Sequence, residues 1–199
     1  MTPRLRIAGL RSPLAGPFDL DIAAGECVAI TGPSGAGKSL FLRMVADLDP
    51  SDGQVWLDGR DRASFGGPDW RRRVAYAAAE PGWWGEQVAE HFPDPSAAVT
   101  LAARLDVAAS LLDGPVQRLS TGERQRLALV RTLVSAPAAL LLDEPTGALD
   151  AEAVRLVEAM LREHLAGGAA MLLVTHDLAL AGRLGHRHLA MRDRRLETT

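Results

Sequence analysis

Three features of the sequence predict an α/β fold with a mostly parallel central sheet, an antiparallel β flap and a small helical insert. Short apolar runs recur at Cys27 to Ile30, Ala138 to Leu142 and Met171 to Val174, and each gives way to polar residues at its carboxyl end. Runs of this length suit strands buried on both faces, as in a parallel sheet. Helical patterns alternate with them, the arrangement that βαβ packing requires. Between Glu80 and Arg118 the alternation stops, and Pro81, Gly82, Gly85, Pro93, Pro95, Gly114 and Pro115 cut the chain into short helical pieces such as Ala97 to Leu105.

Taken in order, Leu5 to Asp21 reads as short strands and QVWLDGR, residues 54 to 60, as a further strand and turn, which together make the flap. Phe18 is assigned to the flap core. A helix begins near Lys38, and Arg71, Arg72 and Arg73 form a solvated entrance to a strand at Val74 to Tyr76. The helical insert covers about 81 to 118. After Asp150, Val154, Val157, Leu161 and Leu165 share one face of a helix that stops at Gly167 and Gly168. Residues 1–199 then form one domain.

A chain of 199 residues can bury roughly 70% of its unfolded surface. Its 47% hydrophobic and 24% charged residues exclude a disordered or fibrous class. A formal net charge of −3 gives no long-range attraction to nucleic acid or anionic lipid, so no direct nucleic-acid contact is expected. The single cysteine, Cys27, rules out a disulfide framework, fits a reducing compartment and reads as a small buried residue. No stretch reaches the roughly 18 to 20 apolar residues of a membrane span, and the N-terminus lacks the apolar region of a signal peptide. A cytoplasmic location is expected. Four histidines, His91, His164, His186 and His188, read as surface or satisfied partly buried residues, with no spacing for zinc.

The polar ends of the three strands carry the chemistry, because ligands of open α/β sheets sit beyond the carboxyl ends of the strands. The first end is GPSGAGKS: Gly32, Pro33, Ser34, Gly35, Ala36, Gly37, Lys38 and Ser39, followed by Leu40. Glycines let the backbone curl so that its N–H groups surround an anion, and the helix behind adds its positive end. In this spacing Lys38 reaches the β- and γ-phosphates and the Ser39 hydroxyl ligates Mg²⁺. The second end is Asp143 and Glu144; Asp143 can hold the cation, usually through water, and Glu144 can position or deprotonate an attacking water. The third is Thr175 and His176.

LSTGERQRLALVRTLV, residues 119 to 134, is a helix start in which Ser120 and Glu123 have the capping-box spacing and Leu127, Val130 and Val134 form a stripe. Capping does not require Gly122, which leaves a helix N-terminus open to an anion.

Together these residues resemble the ABC ATPase family, the nucleotide-binding domains of ATP-binding cassette transporters. GPSGAGKS is similar to the Walker A motif, LSTGE to the signature usually written LSGGQ, ALLLDE to Walker B, GALD at 147 to 150 to the D-loop, and His176 to the switch histidine. The resemblance implies a P-loop NTPase that hydrolyses ATP with Mg²⁺, with Glu144 and His176 catalytic. It also implies a second copy, or a paralogous ATPase, packed head to tail so that Ser120 and Gly122 act in trans on the γ-phosphate. The implied partner is a transmembrane permease, which would hold the chain at the inner face of the cell membrane. Two other functions stay open: a soluble ABC ATPase serving nucleic acid or translation, and a regulatory module that binds ATP without turnover.

Some positions depart from the family. Where it places a metal-side glutamine this chain has Ala79, followed by Glu80: either Glu80 substitutes as a metal ligand, the reading favoured here, or the link from the site to the helical insert is weakened. No aromatic residue stands before Phe18 to stack on adenine. Trp83 and Trp84 are adjacent, so burying both against a small insert is difficult, and exposed tryptophan marks partner surfaces. The resemblance puts a groove for a cytoplasmic permease helix here; the alternative is that both rings fill the insert's core.

Overall fold

The computed structural model describes residues 2–198. In chain order the elements are β1 (Leu5–Ser12), β2 (Ala15–Ile22), β3 (Cys27–Thr31), α1 (Lys38–Val45), β4 (Asp52–Leu57), β5 (Arg60–Asp61), α2 (Gly67–Arg73), β6 (Val74–Ala77), α3 (Pro95–Arg104), α4 (Thr121–Leu133), β7 (Ala139–Asp143), α5 (Ala151–Ala166), β8 (Ala170–Val174), α6 (Leu178–Leu184), β9 (Arg187–Arg192) and β10 (Arg195–Thr198). One sheet has the order β10-β9-β3-β8-β7-β6, with only β10 antiparallel to its neighbour. The other, β2-β1-β4-β5, is antiparallel throughout. These are the parallel core and the flap.

The three apolar runs become β3, β8 and β7, side by side at the centre. Their continuous hydrophobicity follows from cover on both faces. Leu141 packs with Phe41, Leu42 and Val45 of α1, whereas Leu140 and Leu142 pack with Val130 of α4 and Leu161 of α5. Each such fully buried leucine contributes roughly 1.5–3 kcal/mol relative to exposure. The alternation also fixes the side of the last residue of β7: Asp143, two beyond Leu141, points to the α1 face.

The flap is clamped to the same face. Phe18 is buried as expected, but its ring lies 4.6 Å from that of Phe41, so it closes the joint between flap and α1 as well as the flap itself. Arg71, Arg72 and Arg73 are exposed in the last turn of α2, where cations complement the carbonyl end of a helix, and β6 follows directly.

The insert contains one full helix, α3, whose cap Asp94 accepts the N–H groups of Ser96 and Ala97. Its prolines and glycines leave the remainder as single 3₁₀ turns at Val88–His91, Ala109–Leu111 and Val116–Arg118. The helix reaches back to pack Ala98, Ala102 and Leu105 into the cluster that holds Leu127 and Val130 of α4. His91 is buried and bonded: Nε2 accepts the N–H groups of Trp84 and Gly85, each at 3.0 Å. His186 Nδ1 accepts the N–H of Cys27 at 3.1 Å. Among the described residues no helix is long and apolar enough to cross a membrane.

Candidate active site

The loop after β3 depends on glycine at two points. At Gly32, φ is +148° and a Cβ would stand 2.3 Å from the Met191 carbonyl of β9, so only glycine lets the chain leave the sheet there. Gly37, with φ +101°, is the left-handed residue from which α1 starts. The positive end of α1 therefore opens onto the loop. Lys38 is buried and folds over it, its ammonium donating to the carbonyls of Gly32 at 2.8 Å and Pro33 at 2.9 Å.

Asp143 is 3% exposed at the end of β7. The Tyr76 hydroxyl donates to its Oδ2 at 3.1 Å, and Oδ1 makes no hydrogen bond among the described residues. Burial, and then the charge of Asp143, push the Tyr76 phenol above its ordinary range, so it stays a neutral donor. Ser39 offers an exposed hydroxyl in the same cleft. Carboxylate and hydroxyl oxygens form the hard donor set that Mg²⁺ takes, so the residues present fit that ion.

Glu144 stands in the left-handed region at φ +48°, which costs on the order of 1 kcal/mol for a residue with a side chain. Three backbone-atom bonds hold it there: its N–H donates to Val174 O at 2.9 Å, and its carbonyl accepts from Gln125 Nε2 at 2.7 Å and from the Gly147 N–H at 3.2 Å. Gln125 Oε1 in turn accepts the Ala148 N–H at 2.9 Å, stapling α4 to residues 144 to 148. Sequence reasoning missed this glutamine; its signal is an amide on the buried face of α4, four residues before Leu129. The Glu144 carboxylate accepts the His176 N–H at Oε2, 3.1 Å. Its Oε1 is buried without a hydrogen bond, 3.4 Å from His176 Nε2. A buried carboxylate oxygen without a hydrogen bond is costly.

These groups line one cleft of about 430 Å³, walled by Ser34, Gly35, Gly37, Lys38, Ser39, Leu40, Asp143, Glu144 and His176. Ala79 also lines it; Glu80 is exposed and does not, so the expected metal-side substitution finds no geometric support. Ala36 turns inward to the apolar core. Leu14 and Arg194 complete the wall, and sequence reasoning assigned neither. Leu14 is 58% exposed, and its carbonyl accepts from Arg194 Nη1 at 2.8 Å. Arg194 comes from the β9–β10 turn at φ +62°, far from the loop in sequence.

Ser120 and Gly122 lie outside this cleft. Ser120 caps α4: its Oγ accepts the Glu123 N–H at 3.3 Å, while its own N–H and hydroxyl each donate to Glu123 Oε2 at 2.8 Å. A Cβ on Gly122 would lie 3.4 Å from Ala148 O, so the GALD segment runs beside the signature in the same chain.

The two tryptophans divide between the two expectations. Trp83 is partly buried against the α4 cluster, and Trp84 is 74% exposed. The Arg131 guanidinium sits 5.0 Å from one ring and 4.8 Å from the other, and donates to Gly82 O at 3.1 Å. Beside Arg131 lies a groove of about 320 Å³ lined also by Leu48, Arg71, Arg72, Tyr76 and Pro93.

Residues 16–147 match the family model described as ABC transporter. The hemin import ATP-binding protein HmuV of Streptomyces coelicolor is 35% identical over 92% of this chain and 71% of its own length. The macrolide export ATP-binding/permease protein MacB of Nitrosomonas europaea is 33% identical over 98% of this chain, which spans only 34% of that longer protein. A solved structure described as the ATP binding subunit of an ABC transporter superposes with a TM-score of 0.86 at 24% identity, covering 98% of this chain and 88% of that one.

Proposed function

The chain belongs to the ABC transporter family as an ATP-binding, ATP-hydrolysing subunit, and we propose that it works as one half of an ATP-closed pair that drives a separate transmembrane permease. The observation that carries this is the convergence of Lys38, Asp143, Glu144 and His176 in one cleft while Ser120 and Gly122 stand outside it. A cleft that holds phosphate on one side only is completed by the signature helix of a second copy, or of a paralogue, across a twofold axis.

In this reading the loop N–H groups and Lys38 bind the β- and γ-phosphates, and Ser120 and Gly122 of the partner copy cap the γ-phosphate. Ser39 and Asp143 would hold Mg²⁺, which would neutralise phosphate charge. Glu144 takes the proton of the attacking water at Oε1, and the His176 N–H fixes the orientation of that carboxylate. Leu14 and Arg194 flank the base. Loss of the γ-phosphate removes the ligand shared by the two copies and releases the pair. The groove beside Arg131, with Trp84 exposed next to it, receives a cytoplasmic helix of the permease and holds the chain at the membrane's inner face.

Glu144→Gln tests the reading. With ATP and Mg²⁺, turnover falls by roughly 10²–10⁴-fold, the usual contribution of a general base, and the variant accumulates as a dimer in size-exclusion chromatography. Lys38→Ala fails to bind nucleotide. A Glu144→Gln protein that stays monomeric under saturating ATP overturns the proposal.

A further inference from the structure

The geometry points to Tyr76 as a positioning residue for the metal side of the reaction: its hydroxyl occupies Oδ2 of Asp143, so that Oδ1 alone is presented to the cleft. This rests on the reading of Asp143 as a Mg²⁺-holding carboxylate.

Strands β6 and β7 run parallel with Tyr76 opposite Leu141. Tyr76, Leu141 and Asp143 thus share the α1 face, and the length of a tyrosine ring spans the two-residue offset to the carboxylate. Among the described residues this hydroxyl is the one hydrogen-bond donor to the Asp143 carboxylate, which is buried enough to need one. Just beyond β6, Ala79 lines the cleft and brings no polar side chain.

The chemistry of the donor matters as much as its place. A lysine or arginine there would neutralise Asp143 and compete with a cation, whereas a phenol orients the carboxylate and leaves its charge intact. Arg43, a cation that acts on this pair, is held by Asp49 at 2.6 Å. Tyr76 therefore restricts rotation of the carboxylate without weakening its attraction for a divalent ion. Groups that orient metal ligands typically account for about 10–100-fold in metal affinity.

The test is Tyr76→Phe in the full chain, with a fluorescent ATP analogue titrated with EDTA and again across Mg²⁺ concentrations. Expected are metal-free nucleotide affinity unchanged within about twofold, and a half-saturating Mg²⁺ concentration raised about tenfold or more. Mn²⁺ binding to the nucleotide complex, read by electron paramagnetic resonance, weakens in parallel. Equal losses with and without metal, or a lower melting temperature with unchanged Mg²⁺ dependence, reduce Tyr76 to a structural residue and overturn the proposal. Asp143→Asn separates the two readings: if it keeps the full Mg²⁺ dependence, the assignment of Asp143 itself fails.

Discussion

Ser120 has a task in its own chain and a proposed one in its partner's, and Ser120→Ala separates them. In the isolated chain the variant loses the Oγ that accepts the Glu123 N–H and the hydroxyl that donates to Glu123, while the Ser120 N–H keeps its bond to the same carboxylate. Losing a serine N-cap costs about 1 kcal/mol, which in a domain of this size lowers the melting temperature by roughly 2–4 °C. The gap also depends on pH. The N–H and then the hydroxyl of Ser120 hold the Glu123 carboxyl below its ordinary value, so their stabilisation is present at neutral pH and lost as the pH falls through the Glu123 titration in the folded state. The difference between wild type and variant therefore narrows below about pH 4. Circular dichroism melts without nucleotide measure this part; adding ATP and Mg²⁺ on a Glu144→Gln background measures the second, as a further loss of dimer beyond the change in melting temperature. An unchanged melt at neutral pH refutes the cap, and an unchanged dimer fraction refutes the contact in trans.

Three other outcomes follow from the geometry. Leu14→Tyr gives the base an aromatic face and raises ATP affinity several-fold, roughly 1 kcal/mol of stacking, and Arg194→Ala lowers it; both are read by titration with a fluorescent analogue. Trp83→Ala removes a partly buried ring and costs about 2 kcal/mol in denaturant unfolding, whereas Trp84→Ala changes stability by less than about 0.5 kcal/mol and weakens co-purification with the permease. Burial pushes the Cys27 thiol up to about 12, so at pH 8 it reacts with a maleimide only when the chain is unfolded in denaturant; fast labelling of the native protein contradicts its placement.

The central sheet and the phosphate loop were legible because they are written locally: continuous apolar runs for strands covered on both faces, glycines where the backbone turns, and a cap followed by a stripe for α4. The parts that stayed hidden depend on contacts across the sheet. Residues 187 to 198 are dense in arginine, and β9 shows only the short core Leu189, Ala190 and Met191, so neither the strand beside β3 nor the arrival of Arg194 at the loop could be read from spacing. Tyr76 and Asp143 meet only through the register of β6 on β7. Gln125 carries a helical sequence signal but receives its role from a loop nineteen residues away. Glu80 lies beyond the end of β6 at Ala77, in an exposed segment whose side-chain directions spacing alone does not set.

The ring of Tyr76 borders the groove beside Arg131 and ends in the hydroxyl that reaches Asp143. One side chain thus runs from that groove to a carboxylate that lines the cleft. At 3.1 Å its hydrogen bond has only a few tenths of an ångström of slack before it ceases to be one. A displacement of the ring by more than that breaks its bond to the carboxylate.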